Sequence, residues 1–164
     1  MKRLYIVRHA KSDWGDSDLP DINRKLNKRG KRDAPMMGER LKTRGAKPDL
    51  ILTSPARRAI STAKRIAEVI GYPKKEILVD DVIYGGRVQD LVGRINALDN
   101  ELDSVMIFGH NPYFTMLSEH LTGQSVGSMP TCSIFCVDFD HPSWAHAGSG
   151  TGSLVFFDYP KNSQ

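Results

Sequence analysis

Leu4-Tyr5-Ile6-Val7-Arg8-His9-Ala10 is the stretch on which the fold turns. Four apolar residues in a row have the length and the aromatic and β-branched content of a strand covered on both faces, and such strands belong to parallel sheets. The run then stops on a cation and an imidazole, groups that are rarely buried without partners. A strand over residues 2–7 that delivers Arg8 and His9 at its carboxyl end predicts an open α/β sheet, with a ligand crevice beyond that end.

The rest of the chain alternates in the same sense. Residues 28–44 predict a basic helix with Ala34, Met37 and Leu41 at three-to-four spacing, Asn27 as its cap and an irregular start caused by Pro35. Residues 49–53 predict a second strand, after which Ser54 caps a helix with Pro55 at its first position. Ala59, Ile60, Ala63, Ile66, Ala67 and Ile70 give that helix an apolar face, and Gly71 ends it. A short strand at 77–79, an amphipathic helix marked by Val88, Leu91, Val92, Ile95 and Leu98, and a buried strand at 104–108 follow. Asn111-Pro112 repeats the cap-then-proline start, for a helix running to about Leu121, and residues 131–139 and 153–158 predict two more strands. This alternation implies a three-layer αβα sandwich, a largely parallel central sheet with helices on both faces. No linker or repeat interrupts it, so residues 1–160 read as one domain and 161–164 as a frayed tail.

Composition narrows the class. A chain of 164 residues with 40% hydrophobic and 26% charged residues can bury a core of ordinary size. No apolar run approaches the ~18 residues of a membrane span, and Met1-Lys2-Arg3-Leu4 opens no signal-peptide stretch, so a cytoplasmic protein with no membrane association is expected. Cys132 and Cys136 fall four apart on one predicted strand, on the same face, and read as reduced thiols. No Cys/His spacing suggests zinc and no glycine loop suggests a nucleotide, so neither metal nor cofactor is expected. Residues 1–75 hold 20 Lys and Arg against 8 Asp and Glu, whereas the remainder holds 3 against 11. The basic stretch from Arg24 to Lys47 has no aromatic residue to stack on bases, which favours a solvated face over a nucleic-acid surface. Its field would still draw in an anionic substrate.

Two further clusters join Arg8-His9 at predicted strand ends. One is Ser54-Pro55-Ala56-Arg57-Arg58-Ala59, continuing to Ser61-Thr62-Ala63; the other is Gly109-His110-Asn111-Pro112. Both lead into helix starts, where free N–H groups and the dipole favour an anion. Taken singly, each residue has a structural reading: Arg8 as a strand-end ion pair, His9 as a surface or capping histidine, Arg57 or Arg58 lying along its helix, His110 as a bonded core histidine. Together they describe a phosphate pocket. His120, His141 and His146 lack that context and read as structural or surface residues.

The three clusters, in this order, resemble the histidine phosphatase superfamily, which also contains the phosphoglycerate mutases. The resemblance implies that His9 is the nucleophile that carries a phosphoryl group, that Arg8 and Arg58 grip its oxygens, with Arg57 a rim candidate, and that His110 donates to the same oxygens. Ser12 and Asn111, with the backbone around Ala10, would add phosphate contacts. Ala10 stands where Gly is common, and Arg8-His9-Ala10-Lys11-Ser12-Asp13-Trp14, with Arg24-Lys25-Leu26-Asn27-Lys28-Arg29-Gly30, looks like the SixA-like phosphohistidine phosphatases. Mutase-type members carry an Asn near position 15, where this chain has Gly15, and a Glu proton donor after the third strand, where it offers Asp80 and Asp81. About 50 residues separate Arg58 from His110, and the expected elements consume most of them, leaving no large cap over the pocket. The resemblance therefore implies a phosphatase acting on phosphohistidine in a phosphotransfer protein. A phosphatase of small phosphomonoesters and a non-catalytic phosphate-binding module are the alternatives.

Overall fold

The computed structural model describes residues 1–14 and 18–162, so Gly15 and the last two positions of the expected tail lie outside the described residues. Six strands form one sheet in the order β3-β2-β4-β1-β5-β6: β1 is Lys2–Arg8, β2 Leu50–Thr53, β3 Leu78–Val79, β4 Ser104–Gly109, β5 Ile134–Phe139 and β6 Gly152–Asp158. The helices are α1 (Lys28–Thr43), α2 (Arg57–Ile70), α3 (Val82–Gly85), α4 (Val88–Asn96) and α5 (Tyr113–Thr122). Strands β1 to β4 run parallel. Strand β5 pairs antiparallel with both β1 and β6, which makes the sheet mixed at one side.

Alternation along the strands splits the core in two. Leu4 and Ile6, Leu52, Val105 and Ile107, and Phe135 and Val137 point to the face covered by α3, α4 and α5. Tyr5 and Val7, Ile51, Met106 and Phe108, and Ile134 and Cys136 point to the face covered by α1 and α2. Leu4, Ile6 and Val7 are wholly buried and Tyr5 nearly so, as a strand covered on both faces requires.

Several boundaries differ from the sequence-based expectations. Helix α1 is continuous through Pro35, which stands at mid-helix, and Asn27 caps it by accepting from the Gly30 N–H. Helix α2 begins at Arg57 with Ala56 as its N-cap, so Ser54 does not cap it. Strand β5 starts only at Ile134, because Cys132 turns the chain with a φ of 61°. Cys132 and Cys136 are both buried and free. Among the described residues no helix is long and apolar enough to cross a membrane.

Candidate active site

His9 leaves β1 on a backbone held from several sides. Its N–H donates to the Gly109 carbonyl at 3.0 Å and its carbonyl accepts from the Cys132 N–H at 3.0 Å. The next N–H, that of Ala10, donates to Thr62 Oγ1 at 3.0 Å, and the Thr62 hydroxyl donates in turn to the Arg58 carbonyl. The turn after β1 is thus tied to the end of β4, to the entry of β5 and to the first turns of α2. Gly109 is needed where it stands: a Cβ there would lie 2.5 Å from Phe114 Cζ and 2.7 Å from Ile83 Cγ2. Glycine lets α3 and α5 close over the end of β4, which sets the position of His110.

The ring of His9 is 7% exposed. Its Nδ1 lies 2.8 Å from the Ala10 carbonyl oxygen. A carbonyl can only accept, so Nδ1 carries the proton and Nε2 presents a lone pair. Arg58 Nε–H points at that lone pair from 3.4 Å. Burial is the main reason the His9 pKa falls to about 3; the Ala10 carbonyl opposes the shift, while His110, Arg58 and Arg8 add to it. The His110 ring stands 5.1 Å from that of His9, centroid to centroid. Burial, then Arg58, lowers its pKa to about 4, against a raising influence from Asp21. Both imidazoles are therefore neutral at neutral pH. Ser54 Oγ, fully buried, accepts from the Ala56 N–H and lies 2.7 Å from His110 Nε2. With one lone pair so used, the hydroxyl can donate its hydrogen to Nε2 or accept from Nε2–H on its second lone pair; in the first arrangement Nδ1 of His110 carries the N–H.

Three guanidinium groups surround this pair. Arg58 is 5% exposed. It donates through Nη1 to the Asp21 carbonyl at 2.8 Å and through Nη2 to Asp21 Oδ2 at 3.0 Å. The same carboxylate accepts from the Tyr84 hydroxyl at 2.7 Å and from Arg24 Nε at 3.0 Å. Burial alone would raise the Asp21 pKa, but the bonds from Tyr84, Arg58 and Arg24 outweigh it and hold the group at about 2. Arg24 is itself stacked over the Trp14 ring at 3.5 Å. Arg8 donates through Nη1 to the Met129 carbonyl at 2.8 Å. Its Nε, and Nδ1 of His110, are buried with no hydrogen-bond partner among the described residues. An unpaired buried N–H costs free energy, of order 1–3 kcal/mol, unless an acceptor arrives.

The structure brings Arg8, His9, Arg58 and His110 into one crevice, at the carboxyl ends of β1, β2 and β4. Most of the other expected site residues have partners of their own. Ser12 Oγ accepts from Arg24 Nη1 at 2.8 Å, so it braces Arg24. The Asn111 side chain is spent on its own loop: Nδ2 donates to the Met129 carbonyl, and Oδ1 accepts from the Thr115 N–H and hydroxyl. The Ala10 N–H is taken by Thr62. Asp80 is bound by Arg94 Nε and by the Val82 N–H, and Asp81 is exposed beside Gly86 and Asp90. Among the described residues neither carboxylate bonds to the two imidazoles or to Arg8 or Arg58. Asp21, Tyr84 and the Ser54–His110 bond went unread in the sequence. Asp21 lies 37 positions from Arg58, with no periodicity linking the two, whereas Ser54 was visible but passed for a cap.

Comparison with known proteins points to one family. The model of the histidine phosphatase superfamily (branch 1) matches residues 4–81, which hold the first two clusters. An uncharacterized chloroplast protein of Arabidopsis thaliana is 30% identical over 163 residues, covering 92% of this chain and 73% of its own length. A 2,3-bisphosphoglycerate-dependent phosphoglycerate mutase of Chelativorans is 35% identical over 92 residues, and that match takes in 55% of this chain but only 45% of the mutase. A solved structure described as the putative phosphohistidine phosphatase SixA from Agrobacterium tumefaciens superposes with a TM-score of 0.83 at 28% identity, covering 97% of this chain and 98% of that one. Since cluster order, crevice and near full-length likeness point the same way, the chain belongs to the histidine phosphatase superfamily.

Proposed function

We propose that this protein removes phosphate from a phosphohistidine carried by a phosphotransfer protein, through a phosphorylated His9, in the cytoplasm. The observation that carries the chemistry is the His9 ring itself: proton on Nδ1, bare lone pair on Nε2, and Arg58 Nε–H beside that lone pair. Nε2 attacks phosphorus as the substrate P–N bond breaks, and the departing imidazole leaves neutral when its other ring nitrogen already bears a proton. That leaving group reduces the need for a protein acid, which suits a site where Asp80 is paired with Arg94 and Asp21 is held ionised. Water then attacks phosphorus, the P–Nε2 bond breaks and inorganic phosphate forms. Arg8 Nε and His110 Nδ1–H, buried and unpartnered, are the donors assigned to the phosphoryl oxygens.

Two observations favour a protein-borne substrate. Between α2 and β4 the chain holds a single 3-10 turn, a two-residue strand and two short helices, which leave no domain to enclose a small molecule. The mouth of the site carries two exposed aromatic rings, Trp14 at 72% and Tyr84 at 37%, beside Arg24 and Asp21, a surface suited to a protein partner. The likeness to the Agrobacterium protein supports the same substrate. A screen of phosphohistidine-bearing proteins against small phosphomonoesters tests the reading. Turnover of the former is expected to be faster by orders of magnitude. The reverse preference rejects the substrate, and undiminished hydrolysis by His9→Ala rejects the nucleophile.

A further inference from the structure

We infer that the outer face of α2 is a docking strip for an acid-rich segment of the phosphorylated partner, an inference that rests on the phosphoprotein reading above. Arg57, Ile60, Ser61, Lys64, Arg65 and Glu68 recur at three-to-four spacing, which puts them on one side of the helix, opposite the buried Ala59, Thr62, Ala63, Ile66 and Ala67. They line a groove of about 420 Å³ together with Lys74. From Arg57 to Glu68 the strip runs about 17 Å, at 1.5 Å per residue. It begins beside the catalytic pocket, because Arg57 immediately precedes Arg58.

Charge identifies the occupant. Among the described residues no carboxylate pairs with Arg57, Lys64 or Arg65; the groove's one acid, Glu68, lies 3.7 Å from Lys74. The Arg65 guanidinium donates to the Ser61 hydroxyl, at 3.4 Å. On the sheet's other side, the groove along α3 and α4 is lined by Asp81 and Asp90 and by no cation. A partner with acids flanking its phosphorylated side chain is therefore attracted to the α2 groove in preference to that one. The half-buried Ile60 offers an apolar contact at the centre, and the absence of any aromatic ring in the groove argues against stacked bases as its ligand.

The test compares the wild type with Lys64→Glu/Arg65→Glu, neither residue being part of the pocket. Substrates are an aryl phosphate and two peptide series, one phosphorylated on histidine and one on tyrosine, each with acidic or with lysine flanks. The wild type is expected to favour acidic flanks by about tenfold or more in kcat/KM at low salt, less at high salt. The double variant is expected to lose or invert that preference while hydrolysing aryl phosphate as before, which also shows that it folds. Lys64→Gln/Arg65→Gln serves if the reversal does not fold. A flank preference that survives either change, or none in the wild type, overturns the strip. Failure of the phosphohistidine series alone rejects the substrate reading, and the tyrosine series then decides the strip. Failure of both series overturns both.

Discussion

Lowering the pH from 7 to 5 should destabilise this protein through two histidines, and the amount can be worked from the site. Native His9, with its pKa at about 3 in place of the ordinary 6.5, stays neutral over that interval. The same residue in the unfolded chain becomes almost fully charged. The unfolded state then binds more protons than the native one, so unfolding becomes easier as pH falls. The loss begins near pH 6.5, grows downward and levels off only once the native ring titrates, near pH 3. Between pH 7 and 5 it amounts to about 2 kcal/mol for His9. His110, held at about 4, contributes a similar amount. Urea titrations of the wild type and of His9→Gln at the two pH values isolate the first share, because every other titrating group is common to both. The wild type should lose about 2 kcal/mol relative to the variant. A gap that does not change with pH, or an imidazole signal from native His9 titrating near 6.5, would refute the claim that burial keeps this imidazole neutral.

Other outcomes follow from the same contacts. Arg58→Lys removes the fork that holds Asp21 and the Nε–H that faces His9, so kcat/KM for an aryl phosphate should fall about 100-fold or more in steady-state assays. Asp21→Asn deletes a carboxylate held by two of the guanidinium groups, Arg24 and Arg58; inorganic phosphate should bind several-fold more tightly by calorimetry and inhibit turnover more strongly. Gly109→Ala forces a methyl against Phe114 and Ile83, which should cost about 1–3 kcal/mol in thermal or urea unfolding and lower kcat by moving His110. Asp80→Asn loosens the tie to Arg94 and should leave the acid limb of the pH–rate profile where it was; movement of that limb would restore Asp80 as proton donor.

The sheet was legible because burial writes itself into apolar runs. Leu4 to Val7 and Val105 to Phe108 are apolar at every position, and both sides of each strand are covered. The strand ends were legible too, since an Arg-His or a Gly-His at the close of such a run has few structural uses. What stayed hidden depends on single side chains reaching across long sequence separations. Asp21 joins Arg58 and Tyr84 from a short 3-10 turn that carries no periodic signal. Ser54 has the residue type of a cap, and only its 2.7 Å approach to His110 shows another use. Cys132 looked like strand because its neighbours are β-formers; the positive φ that bends it away meets a tertiary demand, that its N–H reach the His9 carbonyl.

The charges at the mouth of the crevice explain why both histidines must be neutral. Arg8, Arg24 and Arg58 bring three positive charges, and Asp21, ionised throughout the physiological range, removes one. Over these four described residues the remainder, two, matches a phosphoryl group of charge roughly −1.5 to −2 at neutral pH. In the proposed reaction a protonated His9 could not attack, and a protonated His110 would add a third net charge that grips product phosphate as firmly as the transition state, which gains no rate. Burial of the two rings therefore does two jobs with one cause. It frees the Nε2 lone pair of His9, and it keeps the pocket's charge at the value that lets phosphate arrive and also leave.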